Sequence, residues 1–457
     1  MGQWIPDCNG SINGTVQFMP PTGFPYQPDG SCNLVKKLNT IAPPPSTPPS
    51  TLPPSNVTGS GNQTAVGCIP PFIPDPMLGP GGTTTNSKVC DKGCCLPCPS
   101  QYSLYQEGSL DTGYLVSDIA RIISAVLSLI LMLSYIVLPD KLAHPTTIIF
   151  CQIISAFLFS AVALFSVFSR QKVQCVDSIN PSTQQNNLRC AAQGTLQVFS
   201  AAAFCIWNTA VILNLHLHTV WGSAWFARNY VITHSVCWGI PAIITATALG
   251  MGQISWNTGS YCFISQSMAS AIFFYPLAIL LFPSFFLHIS TFFHIARVTI
   301  QSSNESSGTS GSTSITGGGP PTISKYRHAM TVIKIQWRAA LMASLAITLA
   351  VYYWLFYFFQ FSKMNPERLR PNIENHFMKC LIDGGDQNSC VAELAPYLPS
   401  FAIMISAEVL VSTAGLVCFI IFFKPSLVRE WRDFFGSVGY FLSRRGGRKD
   451  EEDFIPM

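Results

Sequence analysis

The sequence predicts an all-α membrane protein, a seven-transmembrane helix bundle preceded by a disulfide-rich, partly disordered extracellular N-terminal region. Of its 457 residues, 48% are hydrophobic and 11% are charged, whereas a soluble domain averages about 25% charged residues. A helix needs about 20 apolar residues to cross the hydrocarbon core of a bilayer. Seven apolar runs of about that length are present, at 117–138, 146–168, 194–217, 231–252, 267–295, 338–360 and 399–423.

Composition divides the chain into five regions. Residues 1–89 are rich in Pro, Ser and Thr and cannot bury enough apolar surface to offset the entropy of ordering. A cysteine-rich linker follows at 90–114, and the bundle occupies 115–423. Apolar residues then recur at three- and four-residue spacing over 424–443, which predicts an amphipathic helix on the membrane surface. A charged cytoplasmic tail completes the chain at 444–457.

Glycosylation sequons and basic residues predict the orientation in the membrane. Four Asn-x-Ser/Thr sequons precede the first span, at Asn9, Asn13, Asn56 and Asn62, and such sequons are glycosylated on the exterior. Lys and Arg are concentrated in the tail and in the loop before the sixth span, which indicates that these segments are cytoplasmic. We therefore expect a multi-pass plasma-membrane protein with an extracellular N-terminus.

The sixteen cysteines favour the same orientation. Twelve lie on the predicted outer side and four lie inside spans, a distribution that suits an oxidising exterior. Seven cysteines, an odd number, precede the first span. We therefore expect one of them to pair with a loop cysteine, for which Cys175 is the candidate. Four cysteines fall within 90–98. Because zinc sites usually need a second, distant pair of ligands, we favour a disulfide-tied linker and expect no metal.

Polar residues inside the spans are the candidates for chemistry, because ionisable groups are costly in a membrane. We single out Asn208, His216 and His218 in the third span and Glu408, the only carboxylate that we assign to a span, in the seventh. Glu408 and Asn208 are the candidates for an intramembrane polar site. We expect no catalytic residue and no cofactor, because no His-Glu-x-x-His motif is present and 399–423 lacks a lysine for a retinal Schiff base.

Other classes of protein remain as alternatives. A transporter or intramembrane hydrolase would use Glu408 and the two histidines of the third span, and a stalked wall-contact protein would not signal at all. The net charge of +4 forms no basic face, so we expect no nucleic-acid partner.

Three closely spaced segments resemble the fourth helix and second outer loop of the Frizzled and Smoothened receptors. They are Trp238-Gly239-Ile240-Pro241-Ala242-Ile243, Met251-Gly252-Gln253 and Gly259-Ser260-Tyr261-Cys262-Phe263. The N-terminal region is too poor in cysteine to resemble the ligand-binding domain of the animal members, and the chain looks more like the divergent members of fungi and amoebae. The resemblance implies a cell-surface signalling receptor in which a ligand shifts the bundle toward a state that binds a cytoplasmic partner.

The resemblance also implies particular bridges and partners. Cys190 is expected to pair with Cys262, and Cys380 with Cys390, across the outer loops. The implied partners are an extracellular ligand or lipid, the lipid of the membrane itself and a cytoplasmic signalling protein, for which a G protein is a candidate.

A conformational switch is expected at the cytoplasmic end of the sixth span. There Lys334 stands where the family has a basic residue that closes over an aromatic ring at the end of the seventh helix, a contact worth about 0.5–2 kcal/mol. We expect Lys334 to close over an aromatic side chain such as Trp431, or onto carbonyls of the seventh helix, which favour a cation. An ordinary cytoplasmic lysine is the alternative.

Glycan occupancy tests the predicted orientation directly. Replacing Asn9, Asn13, Asn56 and Asn62 together by Gln should remove the glycosidase-sensitive mass shift on a gel, because the fifth sequon, at Asn304, is predicted to face the cytoplasm. The single Asn304→Gln variant is the control and should leave the shift unchanged. A shift that depends on Asn304 would mean that the topology is inverted.

Overall fold

The computed structural model describes residues 11–12, 16–17, 68–75, 90–91, 93–138, 146–167, 169–257, 259–308 and 321–446, with backbone only at 11–12, 16–17, 91, 298–308, 321–336, 339, 366–367 and 438–446. The chain forms two units, Met1–Thr64 and Ala65–Met457. In the first unit the strands β1 (Ser11–Ile12) and β2 (Val16–Gln17) pair antiparallel. The four sequons before the first span lie outside the described residues.

The second unit begins with a short segment that is held by disulfides. Its strands are β3 (Ile73–Pro74), β4 (Cys90–Asp91) and β5 (Cys94–Cys95), in the sheet order β3-β5-β4. Its bridges are Cys68–Cys94, Cys90–Cys95 and Cys98–Cys175. A segment this small cannot build its own core, so covalent bonds take the place of one. The bridge expected from the N-terminal region to Cys175 is present, and its partner is Cys98. The second unit starts at Ala65, earlier than the change of composition near residue 90.

Helices occupy each of the seven predicted spans. Their bounds are Ser109–Val137 for α1, Thr146–Ala161 for α2, Leu188–Val220 for α3, Tyr230–Gly250 for α4, Tyr275–Gly308 for α5, Pro321–Leu355 for α6, and Phe401–Ser412 followed by Ala414–Phe422 for α7. Among the described residues, six helices are long and apolar enough to span a membrane, and a seventh is found if Gln387–Tyr397 and Phe401–Ser412, which are bent by 74°, count as one span. The second segment of α7, Ala414–Phe422, follows Phe401–Ser412 after Thr413.

Shorter elements connect the spans. They are the hairpin of β6 (Ile254–Trp256) and β7 (Cys262–Ile264), the short helices Gln171–Gln174, Trp225–Arg228, Gln266–Ala269, Pro366–Asn372, Lys379–Ile382 and Gln387–Leu394, and single turns at Ser100–Ser103, Val162–Phe165, Ser270–Phe274, Phe356–Gln360, Phe361–Met364, Ile373–Met378 and Ala395–Tyr397. Helix α8 (Pro425–Gly446) follows α7, where the sequence predicts an amphipathic helix.

Helix α3 lies at the centre of the bundle and packs against α2, α4, α5 and α6. Its Trp207 is fully buried. Trp238 of α4 meets the Trp207 ring edge-on at 5.5 Å and stacks on Phe199 at 5.9 Å. The tryptophan of the first family-like segment therefore packs α4 onto α3.

Helices α1 and α7 approach each other closely through small residues. A Cβ atom at Gly415 would overlap the carbonyl oxygen of Ser124 and the hydroxyl of Ser128. The Ser124 hydroxyl donates to the carbonyl oxygen of Ser412 at 2.7 Å. Buried polar residues of α1 recur at three- and four-residue spacing along this face, so a polar stripe lies against α7.

The two ends of the bundle differ in their covalent chemistry. We call the end that carries the linker 93–105, the β6–β7 hairpin and the α6–α7 connection the linker face, and all five disulfides of the described chain lie there. The opposite end, which carries α8, is called the tail face.

Candidate functional site

A cavity of about 130 Å³ opens inside the bundle, in the half nearer the linker face. Residues from six of the seven spans and from the β6–β7 hairpin line this cavity. Helix α4 contributes no lining residue. The polar side chains of the wall include Arg121, Gln197, Asn208, Tyr261, Tyr353 and Glu408, among aliphatic and aromatic neighbours. The two residues proposed from sequence for an intramembrane polar site, Glu408 and Asn208, thus line one cavity.

The turn of the β6–β7 hairpin lies over Glu408 at Gly259. This residue has a φ of 82°, a conformation that only glycine adopts readily. Its carbonyl oxygen accepts hydrogen bonds from Gln174 Nε2 at 2.8 Å and Trp256 Nε1 at 3.0 Å. A Cβ atom at Gly259 would lie 3.4 Å from Glu408 Oε1, so the backbone of the turn sits directly over the carboxylate.

The hairpin is also fixed on either side of its turn. Cys262 is joined to Cys190 at the start of α3, and the Cys262 amide donates to Gln193 Oε1 at 3.0 Å. Phe263 lines the cavity. The residues of the third family-like segment therefore position a cover over the cavity. The bridge Cys380–Cys390 closes the connection between α6 and α7 on the same face.

Tyr261 connects the hairpin to α1. Its hydroxyl donates to Asp118 Oδ1 at 2.7 Å, and Arg170 Nη2 donates to Asp118 Oδ2 at 2.6 Å. The Tyr261 ring lies against the guanidinium of Arg121, with Cζ 3.9 Å from the ring centroid. One tyrosine thus bridges a buried carboxylate and a buried cation of the same helix.

Arg121 is 1% exposed and has partners on every side. Its Nε donates to Ser412 Oγ at 3.0 Å, and its Nη1 donates to Gln197 Oε1 at 3.0 Å and to the carbonyl oxygen of Phe159 at 3.4 Å. The Phe159 ring lies on the guanidinium at 4.6 Å. Hydrogen bonds and aromatic rings replace the water that this charge would have outside the membrane.

Glu408 has fewer partners than Arg121. Its Oε2 lies 3.8 Å from Arg121 Nη2, its one ion pair within the described part of the chain, and its side chain is 15% exposed. The carboxylate also borders a second cavity of about 40 Å³ under the turn, which shares Phe263 and Tyr353 with the first. The Glu408 carboxylate therefore lies between two cavities, and its oxygens can accept further hydrogen bonds.

The sequence-based assignment of charges to the spans is wrong in one respect. Glu408 is not the only carboxylate in a span, because Asp118 lies within 117–138 and is buried. Arg121 lies in the same run and was also missed. Charged residues inside an otherwise apolar run are the signal that could have found both.

The structure does not bring Glu408 together with the histidines of α3. His216 Nδ1 is hydrogen-bonded to Thr291 Oγ1 at 2.9 Å, in the half of the bundle nearer the tail face. It lies about 28 Å along the helix from Gln197, at about 1.5 Å per residue. His218 lies further still from the cavity along α3. Asn208 accepts a hydrogen bond from Gln152 Nε2 at 3.2 Å, which joins α3 to α2.

At the tail face the switch expected for Lys334 stays a prediction, because the Lys334 side chain lies outside the described residues. One turn later, Arg338 Nη1 donates to the carbonyl oxygens of Ile421 at 3.0 Å and Phe423 at 3.3 Å, at the end of α7. Trp431 Nε1 donates to Ser134 Oγ of α1 at 2.8 Å.

Seven helices surround a polar cavity, and a disulfide-anchored hairpin covers it, so the fold is a seven-helix membrane bundle with an internal cavity. Residues 105–438 match the Frizzled/Smoothened family membrane region. The chain belongs to the Frizzled/Smoothened family. It is also similar to the G protein-coupled receptor gprM of Aspergillus fumigatus (strain CBS 144.89 / FGSC A1163 / CEA10), with 24% identity over 395 residues that cover 82% of this chain and 78% of the relative.

The Arg121–Glu408 pair can be tested by a double-mutant cycle. Arg121→Met should lower the melting temperature of the purified protein in detergent, because it leaves the Glu408 carboxylate buried without its cation, a loss of about 3–5 kcal/mol in comparable pairs. Adding Glu408→Gln should restore part of the loss, since it removes the orphaned charge.

An exposed ion pair of the linker face provides the control. Arg370 and Glu374 are 52% and 45% exposed, so Arg370→Met should change the melting temperature little. The pairing is contradicted if the double variant Arg121→Met, Glu408→Gln is no more stable than Arg121→Met alone.

Proposed function

We propose that the protein is a plasma-membrane receptor that binds its ligand in the cavity beside Glu408 and a G protein at the tail face. The observation that carries this proposal is a carboxylate with spare acceptor capacity on the wall of a largely apolar chamber. Ionisable groups inside a membrane are costly and mark functional sites by default. The choice of a G protein is supported by the name of the similar Aspergillus protein.

The distribution of cysteines supports an extracellular linker face. Five disulfides lie there, whereas the free cysteines of the described chain, Cys151, Cys205, Cys237 and Cys418, lie inside the spans. Disulfides persist in oxidising surroundings and are reduced in the cytosol. The cavity is then nearer the outside of the cell, and the tail face meets the cytoplasm.

Helix α7 links the cavity to the tail face. Glu408 lies in its first segment, and the Arg338 contact is made at the end of its second segment. Thr413 interrupts the helix between them. A ligand that engages Glu408 acts on the first segment and changes the angle at which the second segment meets α6. Such a ligand shifts the equilibrium between two bundle arrangements by its difference in affinity for them.

The Arg338 contact holds the unliganded arrangement. The carbonyl groups at a helix C-terminus carry partial negative charge and have no partner within the helix, so a cation is favoured there. Arg338 satisfies two of them and ties α6 to α7. Opening a binding surface for a G protein between these helices breaks this contact first.

Basal signalling tests the role of Arg338. Arg338→Ala should raise ligand-free signalling about fivefold in cells that express a promiscuous G protein, because losing about 1 kcal/mol from the closed state changes a two-state ratio by about that factor. Lys334→Ala, one turn earlier, should have a smaller effect if Arg338 makes the principal contact.

The control is Arg368→Ala, an exposed arginine in the α6–α7 connection of the linker face, which should leave basal signalling unchanged. All variants are compared at equal surface expression. Unchanged basal signalling in both Arg338→Ala and Lys334→Ala would contradict the proposal that the α6–α7 contact restrains a receptor.

A further inference from the structure

We infer that the ligand of this cavity is a small aromatic amine, protonated at neutral pH, whose ammonium group binds Glu408. This inference rests on the proposed receptor function and names the chemical class of its ligand. It follows from three properties of the site. These are the charged group that can accept a further partner, the signs of the charges around that group, and the size and aromatic lining of the cavity.

Glu408 has acceptor capacity left for a ligand, whereas Arg121 has little donor capacity left. The guanidinium already has hydrogen-bond partners on Nε and Nη1 and aromatic rings at 3.9 Å and 4.6 Å. Although Arg121 lines the cavity, its exposure of 1% leaves a ligand little surface to contact. Among the described residues Glu408 has one ionic contact, with Arg121 at 3.8 Å, which is longer than a hydrogen bond, and it borders both chambers. A carboxylate accepts hydrogen bonds and donates none, so its partner must be a donor.

The signs of the charges at the cavity favour a cation beside Glu408. The buried charged groups are Arg121, Arg170, Asp118 and Glu408, two of each sign, and Arg170 is paired with Asp118 at 2.6 Å. Asp111, which lies 3.6 Å from Arg170, is 67% exposed, so water screens its charge. An anionic head group beside Glu408 would meet a like charge in surroundings of low dielectric constant, whereas an ammonium group would meet an opposite one.

The wall selects an aromatic body of limited size. Phe204, Phe263, Phe273, Tyr353 and Trp354 line the cavity, and aromatic faces attract an ammonium group as well as another ring. The volume is about 130 Å³, and a dry cavity of about 150 Å³ holds a benzene molecule. One ring fills this chamber, and an amine attached to the ring would extend toward Glu408 and the second chamber of about 40 Å³ that the carboxylate also borders.

Three ligands that share a phenyl ring and a two-carbon chain but differ in their head group test the inference. The probes are 2-phenylethylamine, 2-phenylethanol and phenylacetate, titrated onto the full-length receptor in nanodiscs, with empty nanodiscs as the blank. We expect the amine to bind at least tenfold more tightly than the alcohol and the phenylacetate to bind most weakly. In Glu408→Gln the preference of the amine over the alcohol should fall below twofold.

The matched control is Glu393→Gln. Glu393 is an exposed acid of the linker face, and its replacement should leave the preference for the amine intact. Equal binding of the amine and the alcohol, tighter binding of phenylacetate, or a preference that survives Glu408→Gln would each overturn the inference.

The two proposals fail in different ways. If Arg338→Ala raises basal signalling but the amine has no advantage in binding, the receptor function stands and the ligand class is wrong. If the amine binds through Glu408 and neither Arg338→Ala nor the bound amine changes signalling, the ligand class stands and the receptor function fails.

Discussion

The burial of the Arg121 guanidinium in the membrane-spanning bundle is the constraint on which the rest of the site depends. A charge with 1% exposure must replace its hydration shell with protein groups. Those groups come from α2, α3, α7 and the β6–β7 hairpin. Elements that are distant in sequence are therefore required to meet at one point. The cavity lies beside this point, and Glu408 reaches it from α7.

The hairpin is the second fixed part of the arrangement. Its bridge to α3, its hydrogen bonds through the Gly259 carbonyl and the Tyr261–Asp118 contact all hold the turn over Glu408. These contacts are made before any ligand arrives, so ordering the cover adds little to the cost of binding. Helix α7 connects this fixed region to the tail face, and its two segments meet at Thr413.

Much of this fold could be predicted from the sequence because membrane burial imposes a simple rule. Each predicted span contains a helix, since an unpaired backbone cannot lie in lipid. Cysteine counting gave Cys175 as the partner of one N-terminal cysteine, which the structure shows to be Cys98, and the family resemblance gave Cys190–Cys262 and Cys380–Cys390. The functional site was harder to predict from the sequence than the fold. Arg121 was overlooked inside an apolar run, and its role depends on partners from several other elements, a property of tertiary structure that no local pattern contains. At the tail face the contact made by Arg338 depends on where the last carbonyl groups of α7 lie, which the sequence does not show, and the switch expected for Lys334 stays a prediction.

The most direct test of the account is to fill the cavity and measure the response to an agonist. Ala350 lies on the cavity wall, and Leu355 on the same helix is 52% exposed on the outside of the bundle. For an agonist identified by screening wild-type cells, the account predicts that Ala350→Trp abolishes the response at equal surface expression while Leu355→Trp retains it. A full response from Ala350→Trp would show that the ligand acts elsewhere and would contradict the account.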